Sequence, residues 1–381
     1  MKKSLIALLV ATLPAAAFAD VTIYGKIKGG VEYVDNGSTK QTNVDDLGSR
    51  IGFKGSEDLG NGLKTIWQVE TGFGIDGQSR TGSSSGTFAS RNSFVGLQSN
   101  LGTLRLGNVS NFLDSDMGTV DTWEYSSNAL GLGIFTRDAT RLKNSVRYDL
   151  PTVVPGLTAA LQYGTKETKG AASTSRETTQ LGLGYENSGF FGKYAYTHES
   201  KAQSAVGVIT DGKTVSFGST DATHTALTNL QPNDTANDKH RLEVGYNANN
   251  LFVGFGYQQA KGNYDVAGAD WLNLVNQNVA LSSVTNVALA NPNSKVKTKE
   301  YALTAAYTFG AITPKFTYTH GDKIEVNNIK ADNTGYDQYV LGADYAISKR
   351  TTFGAQYGQI SVKGNGNKNL KAFGLNMIHA F

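Results

Sequence analysis

Apolar and polar positions alternate with a period of two along almost the whole chain. The pattern is clearest at the end, where Phe373, Leu375, Met377, His379 and Phe381 alternate with Ala372, Gly374, Asn376, Ile378 and Ala380. It runs equally through Val21, Ile23, Gly25 and Ile27 against Thr22, Tyr24, Lys26 and Lys28, and through Leu157, Ala159, Leu161 and Tyr163 against Thr158, Ala160, Gln162 and Gly164. It returns at Leu181 to Tyr185, Leu242 to Tyr246, Tyr301 to Phe309 and Tyr339 to Tyr345. Successive side chains of a strand point to opposite faces, so each segment predicts a two-sided β-strand. Sixteen candidates begin near residues 21, 47, 62, 88, 102, 141, 157, 176, 190, 238, 251, 298, 312, 336, 351 and 370. Short turns (Asn61-Gly62, Asn187-Ser188-Gly189, Asn249-Asn250, Ser348-Lys349-Arg350) alternate with longer polar stretches such as 109 to 140, 201 to 237 and 262 to 297.

A soluble sandwich would turn the apolar rows toward a second sheet. Here the opposite face is too polar and too rich in glycine for a merely solvated surface, and aromatic residues close the apolar rows at Tyr163, Tyr185, Tyr246, Phe309, Tyr345 and Phe381. Such aromatics form girdles where a barrel crosses the two membrane interfaces. Lysine or arginine on a lipid face near the midplane costs about 2–4 kcal/mol, and the pattern keeps both off the apolar rows. Closure pairs every backbone group between strands, so no edge is left in hydrocarbon, and the even count matches bacterial barrels. The expected fold is all-β: a sixteen-stranded antiparallel up-and-down transmembrane barrel with short periplasmic turns and long external loops.

The first residues sharpen the address. Lys2 and Lys3, an apolar run from Leu5 to Leu13, and Ala17-Phe18-Ala19 before Asp20 follow the order of an export signal cleaved after residue 19. The expected division is therefore a leader over 1–19 and one barrel domain over 20–381. Removing Lys2 and Lys3 leaves 33 basic against 32 acidic side chains, without the clustered basic excess of a nucleic-acid binder. There is no cysteine, hence no disulfide or thiolate chemistry. Past residue 20 no apolar run reaches the length of a spanning helix, while 44 glycines, 18 tyrosines and 17 phenylalanines suit strands and girdles.

Several blocks carry a family resemblance: Asp46-Leu47-Gly48-Ser49-Arg50-Ile51-Gly52-Phe53-Lys54-Gly55, Glu57-Asp58-Leu59-Gly60-Asn61-Gly62-Leu63-Lys64 and Trp67-Gln68-Val69-Glu70. Arg91-Asn92-Ser93-Phe94-Val95-Gly96-Leu97, Leu104-Arg105-Leu106-Gly107, Ser145-Val146-Arg147-Tyr148-Asp149, Gly342-Ala343-Asp344-Tyr345 with Ser348-Lys349-Arg350-Thr351, and His379-Ala380-Phe381 continue it. Together they resemble the general porins of Gram-negative bacteria, of the neisserial, β-proteobacterial type. The likeness spans nearly all the mature chain and is weakest in the long loops. It implies a homotrimer in outer-membrane lipid, a third long loop (109 to 140) folded into the lumen, and a C-terminal phenylalanine, Phe381, read by the barrel-assembly machinery as well as serving as an interface aromatic. The function it implies is passive passage of ions and small hydrophilic solutes, without cofactor or nucleic-acid partner.

Alternation places Arg50 and Lys54 on the lumen face opposite Ile51 and Phe53, Arg105 opposite Leu104 and Leu106, and Arg141, Lys143 and Arg147 opposite Leu142 and Val146. Arg91 joins them through its Arg-Asn-Ser block. Strands two to six are neighbours in an up-and-down barrel, so these bases form one wall. The resemblance carries the constriction arginines onto Arg50, Arg91 and Arg141, whereas Arg105 and Arg147 rest on parity. Within the loop from 109 to 140, Asp114, Asp116, Asp121, Glu124 and Asp138 are the expected acidic partners across the lumen. Charges of opposite sign facing each other there would set up a transverse field.

Other patterns weigh little. Gly207-Val208-Ile209-Thr210-Asp211-Gly212-Lys213-Thr214 has the spacing of a phosphate loop, but Val215-Ser216-Phe217-Gly218-Ser219 does not begin the helix whose N–H groups would hold phosphate. Gly82-Ser83-Ser84-Ser85-Gly86 matches a nucleophile elbow only in letters. His198, His224, His240, His320 and His379 are scattered without metal-ligand spacing. An outer-membrane enzyme would need a nucleophile and base at one level, and no such pairing stands out. A substrate-specific channel or an adhesin stays open, although lumen positions rich in Gly, Thr, Gln and charge favour breadth over an aromatic sugar ladder.

Overall fold

The computed structural model describes residues 21–77, 88–125, 127–166, 176–201, 205–207, 230–232, 235–278, 294–363 and 369–381. The expected leader, the 82–86 tract and positions 208–214 of the phosphate-loop pattern lie outside them. In chain order come β1 (Thr22–Asp35), β2 (Lys40–Asp46), β3 (Arg50–Gly60), β4 (Leu63–Gly72), β5 (Ser93–Ser99), β6 (Gly102–Ser110) and β7 (Arg141–Asp149). Then follow β8 (Leu157–Gly164), β9 (Thr178–Asn187), β10 (Phe190–Glu199) and two short loop strands, β11 (Ala205–Gly207) and β12 (Leu230–Pro232). Next are β13 (Asn237–Ala248), β14 (Leu251–Gly262), β15 (Val296–Tyr307), β16 (Ile312–Gly321) and a small hairpin, β17 (Glu325–Val326) with β18 (Ile329–Lys330). The chain ends with β19 (Tyr336–Ala346), β20 (Thr351–Val362) and β21 (Asn369–Ala380). Wall strands pair antiparallel in sequence, and β21 returns to β1 from Lys26↔Ala380 to Asp35↔Lys371, closing a barrel of sixteen staves. Backbone bonds between Gly25 and Phe381 in both directions, 3.1 Å each, extend that seam to the last residue.

The second stave is longer than alternation indicated. It comprises β2 and β3, both paired with β1 and separated by a break at 47–49. The β2 sequence KQTNVDD holds a single apolar residue, Val44, so no alternation could reveal it. At the break Gly48 takes φ +103°, a region open to glycine. The ladder is patched by Lys28 N donating to Ser49 Oγ (2.9 Å) and Leu47 N to Lys28 O (3.0 Å). A second irregularity lies between β6 and β7, where the register shifts at Gly107/Val109 and Asn144 has φ +51°. The extra residue falls beside Lys143, which is exposed, while Arg141 and Arg147 turn inward to Asp114 and Asp116.

The apolar rows face outward. On β21 Phe373, Leu375 and Met377 are 45–49 % exposed while Ala372, Gly374, Asn376 and Ile378 between them are buried. Leu341, Tyr339, Phe353 and Leu303 repeat this on other strands. Large apolar side chains covering the perimeter of a barrel require hydrocarbon as their solvent. Aromatic pairs sit near both rims: Phe190 with Tyr246 (4.9 Å) by a short turn, and Tyr257 with Tyr301 (5.3 Å) and Tyr318 with Tyr339 (5.0 Å) toward the long loops.

The described residues of the segment 111–140 run inside the barrel. It begins with α1 (Phe112–Ser115), capped by Asn111 Oδ1 accepting from Asp114 N at 2.9 Å, and holds α2 (Gly133–Thr136) near its end. Its main chain and side chains bond to inward groups all round the wall. Phe112 N donates to Gln180 Oε1 (2.6 Å), Trp123 Nε1 to Thr317 Oγ1 (2.9 Å) and Tyr125 OH to Leu375 O (2.7 Å). Gln338 Nε2 donates to Gly131 O (2.8 Å) and Gln356 Nε2 to Leu130 O (2.7 Å). Apolar clusters back these bonds: Phe112, Leu113 and Met117 on Ala160 and Ala195; Val120, Trp123, Leu132 and Phe135 on Ala302 and Val340. At the mouth α3 (Ala269–Asn278) buries Trp271 edge-on against Tyr336 (5.1 Å).

Candidate functional site

Between the inner segment and the wall from β1 to β7 lies a strip of charged side chains. Register sets Lys26 opposite Arg50 and Thr22 opposite Lys54, and on the next pair Gly52 opposite Glu70. The missing side chain at Gly52 leaves space that the Tyr24 ring fills. Tyr24 OH donates to Glu70 Oε2 (3.1 Å), Arg91 Nε to Glu70 Oε1 (2.6 Å), and Arg50 Nε lies 3.8 Å from Oε2. Lys54 Nζ stands 5.4 Å over the Tyr24 ring. Arg141 Nη1 comes within 3.9 Å of Asp114 Oδ2, which also accepts from Ser110 Oγ (2.7 Å). Arg50 and Arg91 thus share one wall carboxylate, Lys54 stands over the tyrosine that bonds it, and Arg141 faces Asp114 of the inner segment, the three arginines each remaining partly exposed.

Arg105 and Arg147 behave differently. Arg105 bonds Asp149 and lies 5.6 Å over the Phe94 ring, toward the short-turn end. Arg147 is 1 % exposed: its Nη2 bonds Asp116 and Asp149 at 2.7 Å each and its Nη1 bonds Ser110 O (2.9 Å) and Ser115 Oγ (2.6 Å). It pins the root of the inner segment to the wall and is closed to a passing solute. The acidic residues divide as well. Asp114 and Asp116 stay beside the basic wall, because α1 turns immediately after Ser110, and they neutralise part of it. Glu124 pairs with Lys28 of β1. Asp121 lies further across, where burial pushes its carboxyl up to about 6 despite the Trp123 N–H it accepts and the positive charge of Arg241. Beyond it, Lys315 donates to Thr122 O (2.7 Å) and Asp344 (2.8 Å).

Glu70 escaped notice in the sequence, although alternation already set it on the face of Gln68 and opposite Val69. A second set lies on the far wall; alternation singled out none of its wall residues, and Asp138, expected to face the basic wall, belongs to it instead. Arg137 Nη1 donates to Glu300 (2.6 Å), Lys239 bonds Asp138 (2.7 Å) and Glu199 (2.8 Å), and Gly118 N and Thr119 N donate to Glu243. Burial by itself would raise the Asp138 carboxyl, but Lys239 and Arg137 beside it bring it below the usual range. These groups clamp the inner segment at its tip and its end.

A closed barrel with an apolar belt outside and a charged, glycine-rich interior defines a passive channel of the bacterial outer membrane. The model of a family described as Gram-negative porin matches residues 4–365. The chain belongs to that family, and is a general diffusion porin of the outer membrane. It is 37 % identical to the major outer membrane protein P.IB of Neisseria sicca, over 98 % of each chain, and 35 % identical to that of Neisseria meningitidis serogroup A, over the full length of both. Among solved structures the anion-selective porin from Comamonas acidovorans superposes with a TM-score of 0.69 at 19 % identity, over 95 % of this chain and 100 % of that one. OmpT of Vibrio cholerae in its trimer form gives 0.64 at 14 %, over 95 % and 99 %. These two likenesses concern the fold; the family and the relatives' names indicate a channel rather than an enzyme.

Proposed function

We propose that ions and small hydrophilic solutes pass through the lumen between the 111–140 segment and the wall carrying Arg50, Arg91 and Arg141, and that this passage prefers anions weakly. The observation that carries the reading is the basic strip itself, in which Arg50 and Arg91 share the single wall carboxylate Glu70, Lys54 stands over Tyr24 and Arg141 meets Asp114 at only 3.9 Å. Part of the loop's negative charge is already committed, Asp116 to Arg147 and Glu124 to Lys28, so the basic wall outweighs what faces it. Two unit charges 4 Å apart interact by about 1 kcal/mol in bulk water and about 4 kcal/mol at an effective dielectric constant of 20, so a narrow lumen turns this excess into a bias and not a block. Solutes are screened by size, and dipolar ones align in the field between wall and loop.

The working form is a homotrimer in outer-membrane lipid, and Phe381 at the seam with Gly25 is the position read by the barrel-assembly machinery; the chain performs no catalysis. Planar-bilayer recordings in a salt gradient test the reading. Arg50→Ala, Arg91→Ala and Arg141→Ala should each move the reversal potential toward cation preference, and the triple variant furthest. Three unchanged reversal potentials would end the basic-wall proposal.

A further inference from the structure

Five glycines on the lumen face are unexplained by backbone conformation. Gly30, Gly182, Gly256, Gly358 and Gly374 all lie inside strands, and none has a positive φ. Glycine in a strand interior weakens it and marks a place where something approaches closely. Here the approaching atoms belong to the 111–140 segment. A Cβ added at Gly358 would lie 2.8 Å from the Ala129 carbonyl carbon and closer still to its oxygen; at Gly374, 2.7 Å from Leu130 Cδ1; at Gly256, 2.7 Å from Phe135 Cζ. At Gly30 it would meet the Tyr125 ring at 2.8 Å, and at Gly182 it would run into the Phe112 ring. Unstrained carbon–carbon contacts lie at 3.5–4.0 Å, so at Gly358 a methyl would press the segment's own backbone off the wall, and at the other four it would displace a segment side chain by most of an ångström. By contrast, the atoms nearest to Gly52, Gly96 and Gly107, on the basic side, belong to neighbouring wall strands.

We infer that these five glycines are specificity-determining positions of the pore: by presenting no side chain they let the inner segment sit flush against the wall and so set the bore left open toward Arg50, Arg91 and Arg141. They touch no solute. Gly256 is the most direct of them, since β14 is the eleventh stave and faces the third, β4, which carries Glu70. A methyl there drives Phe135, and with it Val120, toward the conducting side. The inference rests on the reading that this segment narrows the passage.

The test is single-channel conductance and the size limit for neutral sugars in proteoliposome swelling, on trimers shown to be folded by heat-modifiable gel mobility. Gly256→Ala and Gly358→Ala should lower both, and Gly256→Ala combined with Phe135→Leu, which removes the colliding Cζ, should restore them. Gly192→Ala, whose added Cβ has no atom nearer than 3.9 Å, is the control and should conduct as wild type. Should Gly358→Ala fail to fold, the Gly256 and Phe135 pair still decides. Folded Gly256→Ala channels with wild-type or higher conductance would overturn the inference. If the arginine variants meanwhile change selectivity, the reading of the pore itself would survive.

Discussion

Glu70 illustrates how a single carboxylate can organise a basic surface. It receives Arg91 at 2.6 Å and Tyr24 at 3.1 Å, with Arg50 at 3.8 Å, so it holds two of the three arginines in place while cancelling one charge. Glu70→Gln keeps the shape and removes the charge; the reversal potential should move toward stronger anion preference, opposite in sign to the arginine variants. A weaker preference would mean that Glu70 acts by positioning the arginines. Asp121 adds a pH dependence. Its carboxyl is raised to about 6, against an unfolded value near 4, so its contribution to the docked segment is fully present below pH 4 and is lost as pH rises through 6. Acidifying from pH 7 to 5 therefore neutralises it and should strengthen anion preference in the wild type, and Asp121→Asn should reduce that pH-dependent change. Alternation along β3 and β4 was enough to set Arg50 and Glu70 on one face. That Asp116 would be consumed by Arg147 was invisible, because it depends on α1 turning back onto the wall at Asn111.

Each strand is a local object, and its period of two survives to the final structure almost without exception. The exceptions have identifiable causes: β2 holds too few apolar residues to alternate, and the extra residue near Asn144 shifts the register there and leaves Lys143 exposed. The outward rows predict where substitution is expensive. Leu341, 51 % exposed to what is hydrocarbon in the membrane, should lose about 2–4 kcal/mol of stability as Leu341→Arg if it lies near the midplane, measured by reversible folding into lipid vesicles. The same change at inward-facing Asn376 should cost less in membrane stability and appear instead as altered conductance. Equal losses at both sites would contradict the assignment of faces.

The barrel as a whole behaves as a charged tube in salt. The Debye length is about 10 Å at 0.1 M and about 3 Å at 1 M, so ion preference should weaken steeply over that range while conductance per unit of bulk conductivity stays nearly constant. A preference that held at 1 M would point to site binding rather than a diffuse field. Sidedness and the number of staves were legible in the chain, because strand geometry converts the order of neighbouring residues directly into faces and neighbouring strands into neighbouring staves. The path of the 111–140 segment was not, and it came into the reading only through family resemblance. Tyr125 reaches Leu375 and Val31 across the closing seam, and Trp123 reaches Thr317. Contacts of that separation follow no period, and they form only once the ends of the barrel have met. Which arginine is free, which is buried, and why glycine stands where the loop must fit are therefore consequences of closure, whereas the existence of an inside and an outside was written in every second residue.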